Sequence, residues 1–442
     1  MIQWVGAGPE PAALMGRGPA DMSTALDATR VPGTRRNIPV LGVTSSLLNL
    51  AVQSWSPIIP ILLVREGAPA FGVVVTYALV NLLGAFAQYL GGRLADRHGA
   101  RLLIALPTTV AGLIWVVMAV SPVWQVMAAT YVAINIVFGI QSPSFTTMVA
   151  DSVEPSERLA AFTRYNFLVS PAYVLGPLLG ALVVLPLVPP EYYIAGTGLC
   201  YVGVGLSRLR LFVEPRRDLR RRPAGARGLG GVVAEAREAV LGSPARRRLL
   251  VVTIGVTSVI ALTINGPFLS LMAHATDGLP TRSVDLLFAL GAVGMVLVSF
   301  VAGRLSHRLG AGRALAVGLL LHGAAVALFA LRMGLRTGIV VFIVVYAGYQ
   351  LASIAFGSLR SAWGAGPDAG AAIGGSSAIA GVAVFLMLSL AGSVQAVLGR
   401  GAPLLLAGLV AAATAGVALL PDPAREGARH LVAGAGSRHL AS

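Results

Sequence analysis

Long apolar runs separated by short polar stretches set the pattern of this chain. Twelve runs stand near residues 38–64, 70–92, 102–120, 124–148, 163–185, 190–211, 249–272, 282–303, 313–331, 337–360, 370–396 and 402–420. Most approach the roughly 20 residues that carry a helix across hydrocarbon. A soluble fold would show amphipathic stripes or short alternating strands instead. The pattern predicts an all-α integral membrane protein with twelve transmembrane helices. The longest polar interruption, 212–248, divides the runs six and six. The expected organisation is a tail at 1–37, a six-helix bundle at 38–211, a central loop at 212–248, a second bundle at 249–420 and a tail at 421–442. The central loop carries an arginine cluster and an amphipathic stretch suited to a helix lying at the interface, beside anionic headgroups of the membrane lipid.

One short polar interruption occurs twice. Between the second and third runs lie Gly92, Asp96, Arg97, Gly99 and Arg101; between the eighth and ninth lie Gly303, His307, Arg308, Gly310 and Arg313. Gly92 and Gly303 are 211 residues apart, Arg101 and Arg313 are 212 apart. Pro57 and Pro267 follow at 210, and Pro155 and Pro367 at 212. A shared offset implies two copies of one six-helix unit.

Composition agrees and removes other classes. The chain is 56% hydrophobic and 12% charged, against about 25% charged in soluble proteins, and its mean hydropathy is +0.79. The net charge of +15 would suggest nucleic acid in a soluble chain. Here topology explains it: with both termini inside, 28 of the 33 arginines fall on the inner side and 5 on the outer, as the positive-inside rule requires. Both termini are therefore expected in the cytoplasm, the chain in the cytoplasmic membrane, and no nucleic-acid partner is expected. The single cysteine, Cys200, excludes an intrachain disulfide. Residues 1–37 have no apolar core resembling a cleavable signal, and Met22 offers a second possible start. No metal-ligand cluster, catalytic triad or phosphate loop stands out, so neither enzyme nor cofactor is expected.

The stretch holding Gly92, Asp96, Arg97, Gly99 and Arg101, with its degenerate copy at 303–313, resembles the loop 2–3 signature of the major facilitator superfamily. The resemblance extends over the twelve-helix plan, residues 38–420. It implies a transporter in which this turn latches the two halves on the cytoplasmic side. Physically, the glycines allow a tight turn and close helix approach. Asp96 can cap the positive end of a neighbouring helix, expected to be the eleventh, while Arg97 and Arg101 can pair with it or with loop acids. His307 replaces the usual acid in the second copy. In the fifth helix Ala172, Gly176, Pro177, Gly180 and Ala181 are similar to the Gly-Pro element of antiporters in this superfamily. Small residues at 172, 176 and 180 share one face and Pro177 bends the helix; a plain packing kink is the alternative. The arginine that antiporters carry in the fourth helix is replaced by Asn135.

The superfamily resemblance implies a central cavity lined by the first, fourth, seventh and tenth helices. Polar groups in lipid face a cavity or another helix, and on those helices the candidates are Asn49, Gln53, Asn135, Asn265, Tyr346, Tyr349 and Gln350, with Trp55 able to stack on a flat solute. These neutral amides and phenols suit a neutral or amphipathic solute. All 18 acids fall in tails, loops or helix ends. A proton-driven cycle would have to use Asp285, Asp151 or the mid-membrane His322, and the expectation is transport without a pH gradient. The sequence reads best as a monomeric exporter of small organic solutes, drugs or metabolites, working by alternating access. A facilitator or importer of neutral solutes such as sugars is the alternative; a non-transporting sensor on the same scaffold is more remote.

Overall fold

The computed structural model describes residues 33–121, 123–154, 157–215, 241–275, 278–331, 334–363 and 369–420. Residues 1–32 of the first tail, the C-terminal tail, residues 216–240 of the central loop, Pro155 and Pro367 lie outside the described residues. Twelve membrane segments are present, and ten of the helices are long and apolar enough to cross a membrane. We number the segments α1–α12. In the first half they are α1 (Asn37–Gln53 and Ile59–Arg65), α2 (Ala70–His98), α3 (Ala100–Ala119), α4 (Trp124–Asp151), α5 (Arg158–Val169, Pro171–Leu179, Gly180–Val184 and Leu185–Leu187) and α6 (Pro190–Leu211). The second half holds α7 (Pro244–Leu262 and Phe268–Ala275), α8 (Thr281–Leu309), α9 (Ala311–Phe329), α10 (Leu335–Trp363), α11 (Ala369–Leu398) and α12 (Ala402–Leu419).

Three of the twelve runs differ from the uninterrupted helices that hydropathy alone predicts. α1 breaks at 54–58 and α7 at 263–267, so the paired prolines Pro57 and Pro267 mark matching breaks. Proline has no N–H and crowds the preceding turn, which explains both. α5 is interrupted at Ser170, ahead of Pro171, and widens into a π-helical turn over Gly180–Val184. The charged turns are shorter than expected. α2 runs to His98 and α8 to Leu309, and each chain reversal turns on one left-handed glycine, Gly99 (φ 85°) and Gly310 (φ 83°).

Within each half the helices touch at glycine. A Cβ on Gly112 would meet α6 at Gly198 O, 2.6 Å away, and one on Gly318 would meet α10 at Ala352 N, 2.5 Å away. Lipid supplies no hydrophobic drive between helices, so such close backbone approach provides the packing energy. Between halves, α2 lies along α11, with Ala85 against Gly381 and Val74 against Gly392. α5 and the α1 break pack on α8.

Candidate functional site

Call the membrane side bearing the start of α1 the near side, and the other the far side. Among the described residues, the near-side polar contacts tie each half to itself. Glu214 accepts from Arg101 N at 2.9 Å and Ala100 N at 3.3 Å, capping α3, while Arg101 Nε donates to Leu209 O at 3.1 Å. Arg101 thus binds the end of α6, and Gly99 brings the start of α3 against Glu214. Asn37 bridges Ser152 and Val213, and Arg35 pairs with Glu157 at 3.0 Å. In the second half Arg248 donates to Val417, Ala418 and Leu420 carbonyls and lies 4.7 Å over Trp363. Arg97, Arg308 and Arg313 are exposed, and Gly92 is partly exposed. The side chains of Asp96 and His307, the surroundings of Gly303 and the chain just ahead of α11 fall outside the described residues.

Arg208, at the end of α6, is a residue that sequence reasoning misplaced. Counted among loop arginines, it is in fact fully buried in the first half. Its guanidinium donates to Thr44 Oγ1 (3.0 Å), Thr108 Oγ1 (3.0 Å) and Ser45 Oγ (2.8 Å), between the rings of Phe145 and Phe212.

The predicted cavity residues separate into two groups. Asn49 and Gln53 are partly exposed on α1; Asn49 turns its Nδ2 back on Ser45 O (2.8 Å), which leaves Oδ1 as the atom it offers. Gln53 Oε1 accepts from Ser56 Oγ at 2.8 Å and so fastens the break in α1. Asn265 lies in the break of α7 and is exposed. Asn135 is largely buried and bonds Tyr131 O. Gln350 ties α10 to Ser299 of α8 at 2.8 Å. Tyr346 and Tyr349 are largely buried, Tyr346 against Phe288 and Gly291, Tyr349 beside His322. Trp55 belongs elsewhere. It is fully buried, donates Nε1 to Thr197 Oγ1 at 3.0 Å and meets Trp115 edge-on at 4.9 Å. The α1 break rotates it into the core of the first half, away from a solute path.

On the far side the halves are closed on one another. Ser270 Oγ of α7 donates to Pro57 O of α1 at 2.6 Å. The Gly-Pro face of α5 packs into the α1 break: a Cβ on Gly176 would lie 2.6 Å from Gln53 Cβ, and one on Gly180 would collide with both Ser54 O and Asp285 Oδ2. Asp285, in the second turn of α8, is fully buried. Asp151 ends α4 on the near side. His322 lies buried on α9, with Nδ1 2.8 Å from Val345 O and Nε2 3.0 Å from Thr263 Oγ1. Both ring nitrogens join helices. We expect His322→Gln to lose one such bond, lowering stability by about 1–2 kcal/mol while leaving transport within a few-fold of wild type. Thermal melts alongside flux would check this, and a larger loss of flux than of stability would contradict it.

A separate cavity of about 600 Å³ between α2 and α4 is lined by Phe71, Val75, Leu79 and Trp124, and holds none of the candidate residues.

A chain of two six-helix copies, closed on one side around polar groups from broken helices, has the architecture of a secondary transporter. The sequence pattern of the Major Facilitator Superfamily matches residues 41–362; the chain belongs to that superfamily, and is a membrane transporter of solutes and not an enzyme. Solved structures similar to it include the human organic anion transporter MFSD10 (TETRAN), 20% identical over 88% of this chain and 100% of that one, TM-score 0.64. The nucleoside transporter NupG is 15% identical over 86% of this chain and 98% of that one, TM-score 0.68. A POT family transporter in complex with 5-aminolevulinic acid is 14% identical over 87% and 96%, TM-score 0.68. No curated protein matches the chain by sequence.

Proposed function

We propose that the protein is an exporter of small neutral or amphipathic organic solutes in the cytoplasmic membrane, its near side and both termini facing the cytoplasm. The observation that carries this reading is the α5 Gly-Pro face, seated without room for a methyl group against the α1 break and α8. A seal made of glycine and backbone can separate and re-form with little rotamer cost, which suits a far-side gate opened once per cycle. The solute path would run beside Asn49, Gln53 and Asn265, neutral groups that can pair with a solute's amide or hydroxyl without demanding charge. Asn135, in place of an arginine, favours a neutral cargo and keeps facilitated uptake as the second reading.

A ligand screen by melting temperature, followed by flux of the best solutes in proteoliposomes, tests transport and its direction. Efflux from right-side-out vesicles supports export; binding without flux would make the protein a sensor. For orientation, Gly225→Cys and His430→Cys in a Cys200→Ser background should react in intact cells with membrane-permeant maleimides and resist impermeant ones. Labelling of residue 225 by an impermeant reagent would invert the topology.

A further inference from the structure

Asp285 sits in surroundings that a bare carboxylate does not tolerate. It is fully buried, and neither Oδ1 nor Oδ2 has a hydrogen-bond partner among the described residues. Across from it is another unsatisfied oxygen. Pro57, three residues on from Ser54, has no N–H, and the N–H of Ile58 is taken by Trp55 O at 3.1 Å. The break in α1 therefore leaves the Ser54 carbonyl free of the bonds a helix would give it. Gly180, at the start of the π-helical turn of α5, has no Cβ, and the place a Cβ would take is flanked by both oxygens. The broken α1, the widened α5 and the second turn of α8 thus converge on two acceptors that share a methyl-sized space.

Two acceptors facing each other in an apolar interior repel, unless something positive lies between them. Among the described residues, the helices packed around Asp285 contribute no such charge. Tyr193 of α6 and Tyr346 of α10 are the titratable groups in electrostatic range, and both are phenols. Arg65 and Glu191 act on Tyr193. On its own helix Arg282 is exposed. His274 of α7 is engaged with Leu279 O at 2.8 Å, and His322 with Val345 and Thr263.

We propose that Asp285 and the Ser54 carbonyl form a site for a small monovalent cation at the far-side gate, and that the cation is a proton. In the closed gate the proton is bonded to a carboxyl oxygen of Asp285 and donated to Ser54 O across Gly180. When α8 leaves α5 and α1, water enters, the O–H bond breaks, and the proton passes to the aqueous phase as the carboxylate becomes hydrated. A proton fits better than sodium because two or three oxygens satisfy it, whereas a metal cation takes about six. This rests on the alternating-access reading and adds to it what the gate responds to. The closed state binds a proton that the open state releases, so closure is favoured at low pH and lost as pH rises past the closed state's titration.

The test reads the gate and not flux. Spin labels at Leu187→Cys and Arg282→Cys, both exposed at the far ends of α5 and α8, are placed on the full chain in a Cys200→Ser background. Their distance distribution is followed from about pH 5 to about pH 9 in sodium-free buffer, bracketing the range in which carboxyl groups moved by burial titrate. The wild type should pass from a short to a long separation, the open-to-closed ratio rising by up to roughly tenfold per pH unit. Asp285→Asn, whose amide N–H can replace the carboxyl proton, should stay short throughout. Should that variant fold poorly, Pro57→Ala gives residue 57 an N–H able to occupy Ser54 O, and its transition should move to lower pH. A wild-type distribution that ignores pH, or a pH response that survives Asp285→Asn, overturns the proposal. Closure driven by sodium at constant pH and absent in Asp285→Asn overturns the proton assignment. A pH-driven gate in a protein with no measurable flux would instead remove the transport reading and leave this site standing.

Discussion

Gly180→Ala should stop the transport cycle while leaving the protein folded. The added Cβ would enter the space now bounded by Ser54 O and Asp285 Oδ2. One of these is main chain and cannot rotate away, and the other is a short side chain held between helices. Overpacking of this kind costs about 1–3 kcal/mol, and here the cost falls on the far-side-closed state alone, because the opened gate has room for a methyl group. The closed population should therefore fall by roughly 5- to 150-fold, and turnover with it. Accessibility of Gln53→Cys and Ser270→Cys to impermeant maleimide from the far side, each in a Cys200→Ser background, should rise in parallel. Gly176→Ala meets Gln53 Cβ at 2.6 Å, a longer approach than a Cβ on Gly180 would make to either oxygen, and should be milder. Normal flux in Gly180→Ala would show that α5 and α8 do not form the gate.

The second large effect is expected at Arg208. A charged group with no exposure, satisfied by three hydroxyls from α1 and α3 and flanked by two aromatic rings, holds the near-side end of the first half together. Arg208→Ala removes that packing and takes the guanidinium donor from Thr44 and Ser45, while Thr108 keeps Gln141 Nε2 at 2.7 Å, so a loss of about 3–5 kcal/mol is expected. Arg208→Lys should recover little, since one ammonium cannot span the three hydroxyls that the planar fork reaches. Arg208→Met restores the volume without a buried charge and should recover more of the stability than Lys does. Melting of the purified variants gives the order. An Arg208→Ala protein that melts like wild type but loses transport would make this arginine part of an anion path and not a structural tie.

Among the described residues, the near-side ties are internal to each half. Arg101 is fastened to Leu209 O and its backbone N–H to Glu214 within the first half. Arg248 performs the matching task at α12 in the second half. Each half is thereby made rigid at its near end, which is what rocking about a central site requires.

The sequence by itself determined the class of fold, the twelve segments, their division into two copies and the superfamily. These depend on the length of apolar runs and on glycine, proline and arginine at a fixed offset, which are properties of the chain read one residue at a time. It also marked Pro57 and Pro267, Gly176 and Gly180, and Asp285 as unusual. Only the tertiary structure decided what they do. Whether a tryptophan in a membrane helix faces a solute or a bundle core depends on the rotation of that helix, and the break at 54–58 turns Trp55 to Thr197 and Trp115. Whether an arginine near a helix end meets a lipid headgroup or the protein interior depends on what lies across from it, and for Arg208 that is three hydroxyls a hundred or more residues away. Asp285 reads in sequence as an acid at a helix end; it becomes a buried carboxyl without a partner because α5 and the α1 break close over that end. Hydropathy sums over neighbours in the chain, whereas solvation and pairing are set by neighbours in space.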